Sequence, residues 1–260
     1  LAECTVMMGV PTYYTRMLDN NLLDPEGCKN MRVFICGSAP LLPETFKEFE
    51  FRTGHPILER YGMTETGINT SNPLKGKRIP GTVGQALPGT IARIVDDTGE
   101  IVHPGETGNL QVKGDNVFSG YWNMPEKTAE DFTSDGFFNT GDKAVIDKEG
   151  YISIVGRSKD MIISGGLNIY PREIELVIDQ IPEVIESAVI GTADHDFGEK
   201  VVAVVVSRDN RLSTQKILDA CRQKLASFKS PKMVHFLDEL PRNAMGKVQK
   251  NLLREQFSDN

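Results

Sequence analysis

The hydrophobic periodicity of this chain changes twice along its length, and that double change limits the fold more than any other feature. Up to about Tyr61, helical patterns (Tyr13 to Leu18, Pro43 to Phe51) alternate with short apolar runs (Met31 to Cys36, Ile57 to Tyr61). Such alternation is the signature of helices wound onto a mostly parallel sheet. From Gly81 to Ile154 the runs are short and β-rich, at Ile91 to Val95, Gly108 to Lys113, Ala144 to Ile146 and Tyr151 to Val155, with Gly, Asp and Pro between them. This stretch predicts a small β-barrel or meander. After Gly156-Arg157-Ser158-Lys159-Asp160 come a helix over Pro171 to Ile181, strands at Val184 to Gly191 and Lys200 to Ser207, and a helix over Thr214 to Leu225. An α+β module of about a hundred residues is an ordinary size for a separate domain. The expected organisation is an α/β region over 1–158, with a sheet to about 80 and the barrel over 81–158, followed by a smaller α+β domain over 159–260.

Composition removes several function classes. With 260 residues, 39% hydrophobic and 25% charged, the chain can bury a core of domain size. Its formal charge of -7 is spread along the sequence without a run of Lys or Arg, which disfavours nucleic acid or an acidic membrane as partner. Cys4, Cys28, Cys36 and Cys221 lie far apart, without Cys-x-x-Cys or Cys/His ligand spacing. They read as reduced thiols in a cytoplasmic protein, and zinc is not implied. The longest apolar run, Val201 to Val206, is strand-sized and too short to span a bilayer. Leu1 leads straight into Thr5-Val6-Met7-Met8-Gly9-Val10-Pro11, with no initiator Met, signal or transit segment, so a fragment is expected.

Chemistry concentrates in a few short motifs. Tyr61-Gly62-Met63-Thr64-Glu65-Thr66-Gly67 joins a flexible backbone, hydroxyls that can bond phosphate, and a lone carboxylate that can hold Mg²⁺. Read alone, it is equally a plain strand-to-turn segment. Gly37-Ser38-Ala39-Pro40 follows the apolar run Val33 to Cys36, the place where α/β folds bind ligands. Asp142, in Phe137-Phe138-Asn139-Thr140-Gly141-Asp142, could accept both hydroxyls of a ribose, although an Asp after Gly is more often a turn residue. Downstream lie Gly156-Arg157-Ser158-Lys159-Asp160, Ser164-Gly165-Gly166-Leu167-Asn168, and Pro241-Arg242-Asn243-Ala244-Met245-Gly246-Lys247.

These motifs, in this order and at these separations, resemble the adenylate-forming superfamily of acyl-CoA synthetases, luciferases and peptide-synthetase adenylation domains, over essentially the whole chain. The resemblance implies that 1–158 is the C-terminal part of a large AMP-binding domain, and that 159–260 is a small mobile domain turning on a hinge at Lys159, with the active site between the two. It further implies ATP, Mg²⁺ and coenzyme A. Ser38, Ala39, Pro40 and Tyr61, with Glu59 and Gly62, would form the nucleotide site. Thr64 would touch the α-phosphate, Glu65 would bind Mg²⁺, and Asp142 and Arg157 would hold the ribose. Lys247 would bridge the substrate carboxylate and the α-phosphate as an acyl-adenylate forms. After rotation about Lys159, Gly165 and Gly166 would line the pantetheine tunnel.

The residue before the Tyr-Gly-Met-Thr-Glu motif is Arg60. An arginine there would repel a hydrocarbon tail and welcome a second carboxylate through bidentate bonds. Alternatively, it merely pairs with Glu59 or another nearby acid, or points at phosphate. Glu59-Arg60-Tyr61-Gly62-Met63-Thr64-Glu65-Thr66 and Met8-Gly9-Val10-Pro11-Thr12-Tyr13-Tyr14-Thr15-Arg16 resemble bacterial malonyl-CoA synthetases, which makes malonate the expected acid and Arg16 a second-choice cation. Methylmalonate satisfies the same charge logic, and other short-chain or fatty acids stay open. The superfamily's Gly/Ser/Thr-rich phosphate loop and the first half of its large domain are absent, so the chain is expected to be inactive alone, with exposed strand edges around Val33 to Cys36 that favour self-association. Two rivals remain. A peptide-synthetase adenylation domain would share most motifs, but no carrier segment follows Asn260, which favours coenzyme A as acceptor. A non-catalytic nucleotide-binding remnant is disfavoured by the joint presence of Lys247, Glu65, Asp142 and Arg157.

Overall fold

The structure is a computed structural model that describes residues 4–208, 211–243 and 246–258. It divides into two compact units, Leu1–Ile154 and Val155–Asn260, a few residues before Lys159.

The first unit opens with a five-stranded sheet in the order β1-β2-β3-β4-β5: β1 (Val6–Gly9), β2 (Val33–Cys36), β3 (Leu58–Met63), β4 (Gly67–Ser71) and β5 (Gln85–Ala86). β1, β2 and β3 run parallel, so each link needs a crossover. α1 (Pro11–Leu18) and α2 (Pro25–Cys28) supply the first, and α3 (Pro43–Thr53) the second. All three open on proline, whose missing N–H costs nothing in a first turn. α3 stops at Gly54, where φ is 74° and the N–H closes on the Glu50 carbonyl.

Tyr14, Phe34, Phe46 and Phe49 fill the core between these helices and the sheet. Tyr14 and Phe34 both meet the Phe49 ring edge-on, a favourable arrangement for aromatic quadrupoles. Val33 to Cys36 are not the exposed edge expected from the sequence. β2 is hydrogen-bonded on both sides, and Phe34 and Cys36 are packed in the core. The edge strands are β5 and, next to β2, β1, where Val6 and Met8 are exposed.

The β-rich stretch is an antiparallel meander in the order β6 (Thr90–Val95), β7 (Thr107–Gly114), β8 (Phe138–Ile146) and β9 (Ile152–Arg157). α4 (Pro125–Asp131) lies in the β7 to β8 connection. At the β9 end, Val83 N–H donates to the Ile152 carbonyl and Ile152 N–H to the Gly84 carbonyl. β8 carries a bulge. Asn109 pairs with Lys143 but Gln111 pairs with Asn139, and Gly141, at φ 72°, takes up the extra length. Asp142 is therefore a buried strand residue rather than the turn residue that its sequence context favours.

In the second unit, the hairpin of β10 (Ile162–Ser164) and β11 (Leu167–Ile169) leads to α5 (Pro171–Ile178). The long hairpin of β12 (Val184–Asp194) and β13 (Gly198–Ser207) follows, then α6 (Thr214–Lys224), β14 (Met233–Leu237) and α7 (Lys250–Phe257). β13 lies inside the sheet, paired with β12, β10 and β14. Its valine run is buried on both faces. Val201, Ala203 and Val205 join Ile174, Ile178 and Ile217 beneath α5 and α6, whereas Val202, Val204 and Val206 join Leu253 and Phe257 of α7. An unbroken apolar strand is the pattern such two-sided burial requires.

Candidate active site

At the carboxyl ends of β1, β2 and β3 lies a hollow of about 240 Å³, the position where α/β sheets take ligands. Met8, Gly9, Val10 and Tyr13 line one part of it, Gly37 and Ser38 another, and Arg60, Gly62 and Ile68 the rest. Arg60 is the charged side chain in that lining, and its Nη2 donates to the Met8 sulfur at 2.8 Å. A thioether is a weak acceptor. Successive strand residues point to opposite faces, and Glu59 accordingly turns away from Arg60 into the interior, where it accepts from the Gly81 N–H at 3.4 Å. Among the described residues no carboxylate forms an ion pair with Arg60. Arg16 is exposed on α1 and is not part of the lining.

Beside the hollow, the Gly37 to Pro40 loop leaves β2 with Ser38 at φ 67° and Ser38, Ala39 and Pro40 exposed. Cys36, just before it, is no nucleophile. Burial, and then the Glu59 charge, push its thiol up to about 12. On β3, the Tyr61 hydroxyl donates to Asp142 Oδ2 at 2.5 Å, so two expected nucleotide-site residues from separate sheets are in contact.

The next residues form the β3 to β4 turn. Thr64 is exposed, Glu65 half-buried and Thr66 fully buried. Gly62 is obligatory beneath it, because a Cβ there would lie 1.9 Å from the Gly67 carbonyl oxygen. Asn116 holds the turn from outside by donating to the Thr66 carbonyl at 2.7 Å and to Asn69 Oδ1 at 3.0 Å.

Glu65 has a partner that the motif did not reveal. The Tyr121 hydroxyl donates to its Oε1 at 3.2 Å, and the Phe118 N–H bonds to its carbonyl at 2.7 Å. Burial, and then the Glu65 charge, push the Tyr121 phenol up to about 12, which keeps it a donor at neutral pH. Tyr121 lies 56 residues from Glu65 in the chain, and its only sequence signal is an aromatic in the irregular Phe118-Ser119-Gly120-Tyr121 stretch after β7.

The second unit holds the remaining candidates. Arg157 ends β9 exposed, and Lys159 is exposed on a single 3₁₀ turn, Ser158–Asp160. Gly165 and Gly166 form the two-residue turn of the β10 to β11 hairpin with φ 57° and 78°, the left-handed pair that glycine accepts freely. Lys247 is exposed in a tight hairpin, its N–H bonded to Asn243 Oδ1 at 3.0 Å and its carbonyl accepting from the Asn243 N–H at 3.0 Å. Ala244 and Met245 of that motif lie outside the described residues.

A family model described as AMP-binding enzyme matches residues 2–122, and one described as AMP-binding enzyme C-terminal domain matches 173–247. The chain belongs to the AMP-binding enzymes. The chain is 38% identical over 275 residues to a malonate–CoA ligase of Arabidopsis thaliana, covering 98% of the chain and 45% of that relative. It is also 38% identical over 253 residues to a long-chain-fatty-acid–CoA ligase of Yersinia pestis, covering 97% and 45%. Among solved structures, an ATP-bound MatB from Rhodopseudomonas palustris matches with a TM-score of 0.96 at 55% identity, over 99% of this chain and 52% of that one. The chain thus spans about half the length of the relatives it matches. No helix among the described residues is long and apolar enough to cross a membrane.

Proposed function

We propose that the whole protein is an ATP-dependent carboxylate–CoA ligase and that its acid is malonate. Arg60 carries the choice of acid. Identity to a malonate ligase and to a long-chain fatty-acid ligase is the same, 38%, so overall similarity does not separate them. Support for malonate in this reading comes from the hollow, where the guanidinium of a half-buried arginine, bonded to a thioether and to no carboxylate among the described residues, suits a carboxylate better than a hydrocarbon chain. Methylmalonate is the second reading, since one methyl changes pocket affinity by only about 1 to 3 kcal/mol.

In this reading Arg60 holds one carboxylate of the acid and leaves the other to react. A carboxylate oxygen attacks the α-phosphorus of ATP, the bond to the β-phosphate oxygen breaks, and pyrophosphate leaves. Lys247 neutralises charge on the carboxylate and the α-phosphate, Thr64 bonds an α-phosphate oxygen, and the Gly37 to Pro40 loop, Tyr61, Asp142 and Arg157 hold the nucleoside. Mg²⁺, when bound, would neutralise phosphate charge. Glu65 fits as its protein ligand, being a single carboxylate kept oriented by Tyr121 while phosphates supply other oxygens. Lys159 serves as the pivot between half-reactions, and the Gly165-Gly166 turn lines the path of coenzyme A. The thiol, losing its proton, attacks the acyl carbon of the mixed anhydride and AMP leaves.

The test measures pyrophosphate release and thioester formation by the whole protein with malonate, methylmalonate, acetate and a medium-chain fatty acid. Arg60→Ala is expected to lower malonate turnover by about tenfold or more, the value of a charged hydrogen bond, while acetate is unaffected. Equal use of acetate or fatty acid by the unaltered protein, unchanged by the substitution, sinks the malonate assignment and leaves the ligase.

A further inference from the structure

The Lys247 hairpin is closed on itself by backbone bonds. Arg242 pairs with Val248, the Gly246 N–H bonds to the Asn243 carbonyl, and the Gln249 N–H bonds to the Pro241 carbonyl. These bonds set its shape but not its place on the second unit. Its place is set by the packing of Leu240 and Val248 on the core beneath α7 and by two side-chain links. Arg242 reaches both ways: Nη1 donates to the Gly246 carbonyl at 2.6 Å, directly before Lys247, and Nη2 pairs with Glu186 on β12. Behind the hairpin, Lys250 donates to Glu175 at 2.6 Å, and the same carboxylate oxygen accepts from the Val189 N–H of β12 at 2.9 Å. Both links end on β12, whose register with β13 runs from Val184 to Asp194.

Resting on the reading of Lys247 as the lysine of adenylate formation, we propose that Arg242 and Glu186 are positioning residues that hold it at the distance this step needs. Arg242 is suited to the task because a guanidinium presents donors in a fixed planar fork. One arm fixes the peptide preceding Lys247 while the other fixes that peptide to the sheet. An ammonium at 242 would keep the charge but would not hold both acceptors in one rigid geometry. Coenzyme A transfer does not use Lys247 in this reading, so the clamp matters to the first half-reaction alone. A residue that merely supported the fold would affect both.

Arg242→Ala, Arg242→Lys, Glu186→Gln and Lys247→Ala are made in the whole protein. Each is assayed for acid-dependent exchange of pyrophosphate into ATP and, separately, for thioester formation from synthetic acyl-adenylate. Arg242→Ala and Glu186→Gln are expected to lower exchange by about tenfold or more, as misplacement of a reacting group by about 1 Å does, with thioester formation kept within about twofold. Arg242→Lys falls between Arg242→Ala and the unaltered protein. Exchange that survives Arg242→Ala while Lys247→Ala abolishes it overturns the clamp alone, and equal loss in both half-reactions reduces Arg242 to a structural role. Exchange that survives Lys247→Ala overturns the underlying reading of the lysine.

Discussion

The two turns that present the candidate catalytic groups are held by opposite means. The β3 to β4 turn, carrying Thr64 and Glu65, rests on buried groups: Thr66, Asn69 and Thr70 are fully enclosed, and Asn116 ties the turn's backbone to the strand beside it. The Lys247 hairpin is exposed at its tip, and it is attached by Leu240 and Val248 at its base, by the largely buried Lys250–Glu175 pair, and by the partly solvated Arg242–Glu186 pair. A group that meets phosphate in a fixed pose gains from a rigid buried seat. In the proposed reading the lysine is needed in one half-reaction and not in the next, and a partly solvated link such as Arg242–Glu186 at the tip costs little to rearrange.

The contrast is broken most severely at Gly62. Gly62→Ala places a methyl on the Gly67 carbonyl and is expected to cost about 4 to 5 kcal/mol, read as early urea unfolding of the first unit. Next comes Asp179, at the end of α5, which accepts from Ser187 at 2.6 Å and lies 3.9 Å from Arg172. Burial raises its pKa from 3.8 to about 7, against the opposing effects of Ser187 and Arg172. The folded chain therefore binds more protons than the unfolded chain between these values. Stability of the second unit should fall by about 3 to 4 kcal/mol as pH rises from 4 to 8, and Asp179→Asn should flatten that slope in denaturant melts.

Asn116→Ala strips buried groups of the β3 to β4 turn of their donor and is expected to cost about 2 kcal/mol in the same urea experiment. Arg242→Ala comes last, at under about 1 kcal/mol of stability, because its ion pair is partly solvated. A larger loss there would place the hairpin among the buried, rigid elements and erase the contrast.

Local pattern revealed α1, β2, α3 and β3 but not β1, together with the meander strands, α5, α6 and the valine hairpin, because each of these has a period that burial enforces. What it did not reveal is equally physical. β14, Met233-Val234-His235-Phe236-Leu237, is half-exposed and shows no alternation of apolar and polar residues, and α7, Lys250-Asn251-Leu252-Leu253-Arg254-Glu255-Gln256-Phe257, buries only Leu253 and Phe257, so neither carries a clear period. Of the two readings offered for Asp142, the turn is excluded, because Gly141 makes a bulge within β8 rather than a chain reversal. For the site, Arg60 and the Met8 segment were both legible as candidates. Their meeting, and the contacts Glu65 with Tyr121 and Arg242 with Glu186, join residues more than fifty positions apart. No periodicity encodes such pairs; they follow from register.

The doubly buried strand β13 also bears on the chain before it folds. Val201-Val202-Ala203-Val204-Val205-Val206 is uncharged, free of proline and strongly β-forming, the composition that nucleates cross-β stacking when exposed. Lys200 and Arg208 bracket it. Their charges impose repulsion on any stack of identical segments, so the run that makes the second unit's sheet continuous carries gatekeepers against fibril growth while it is still unpaired.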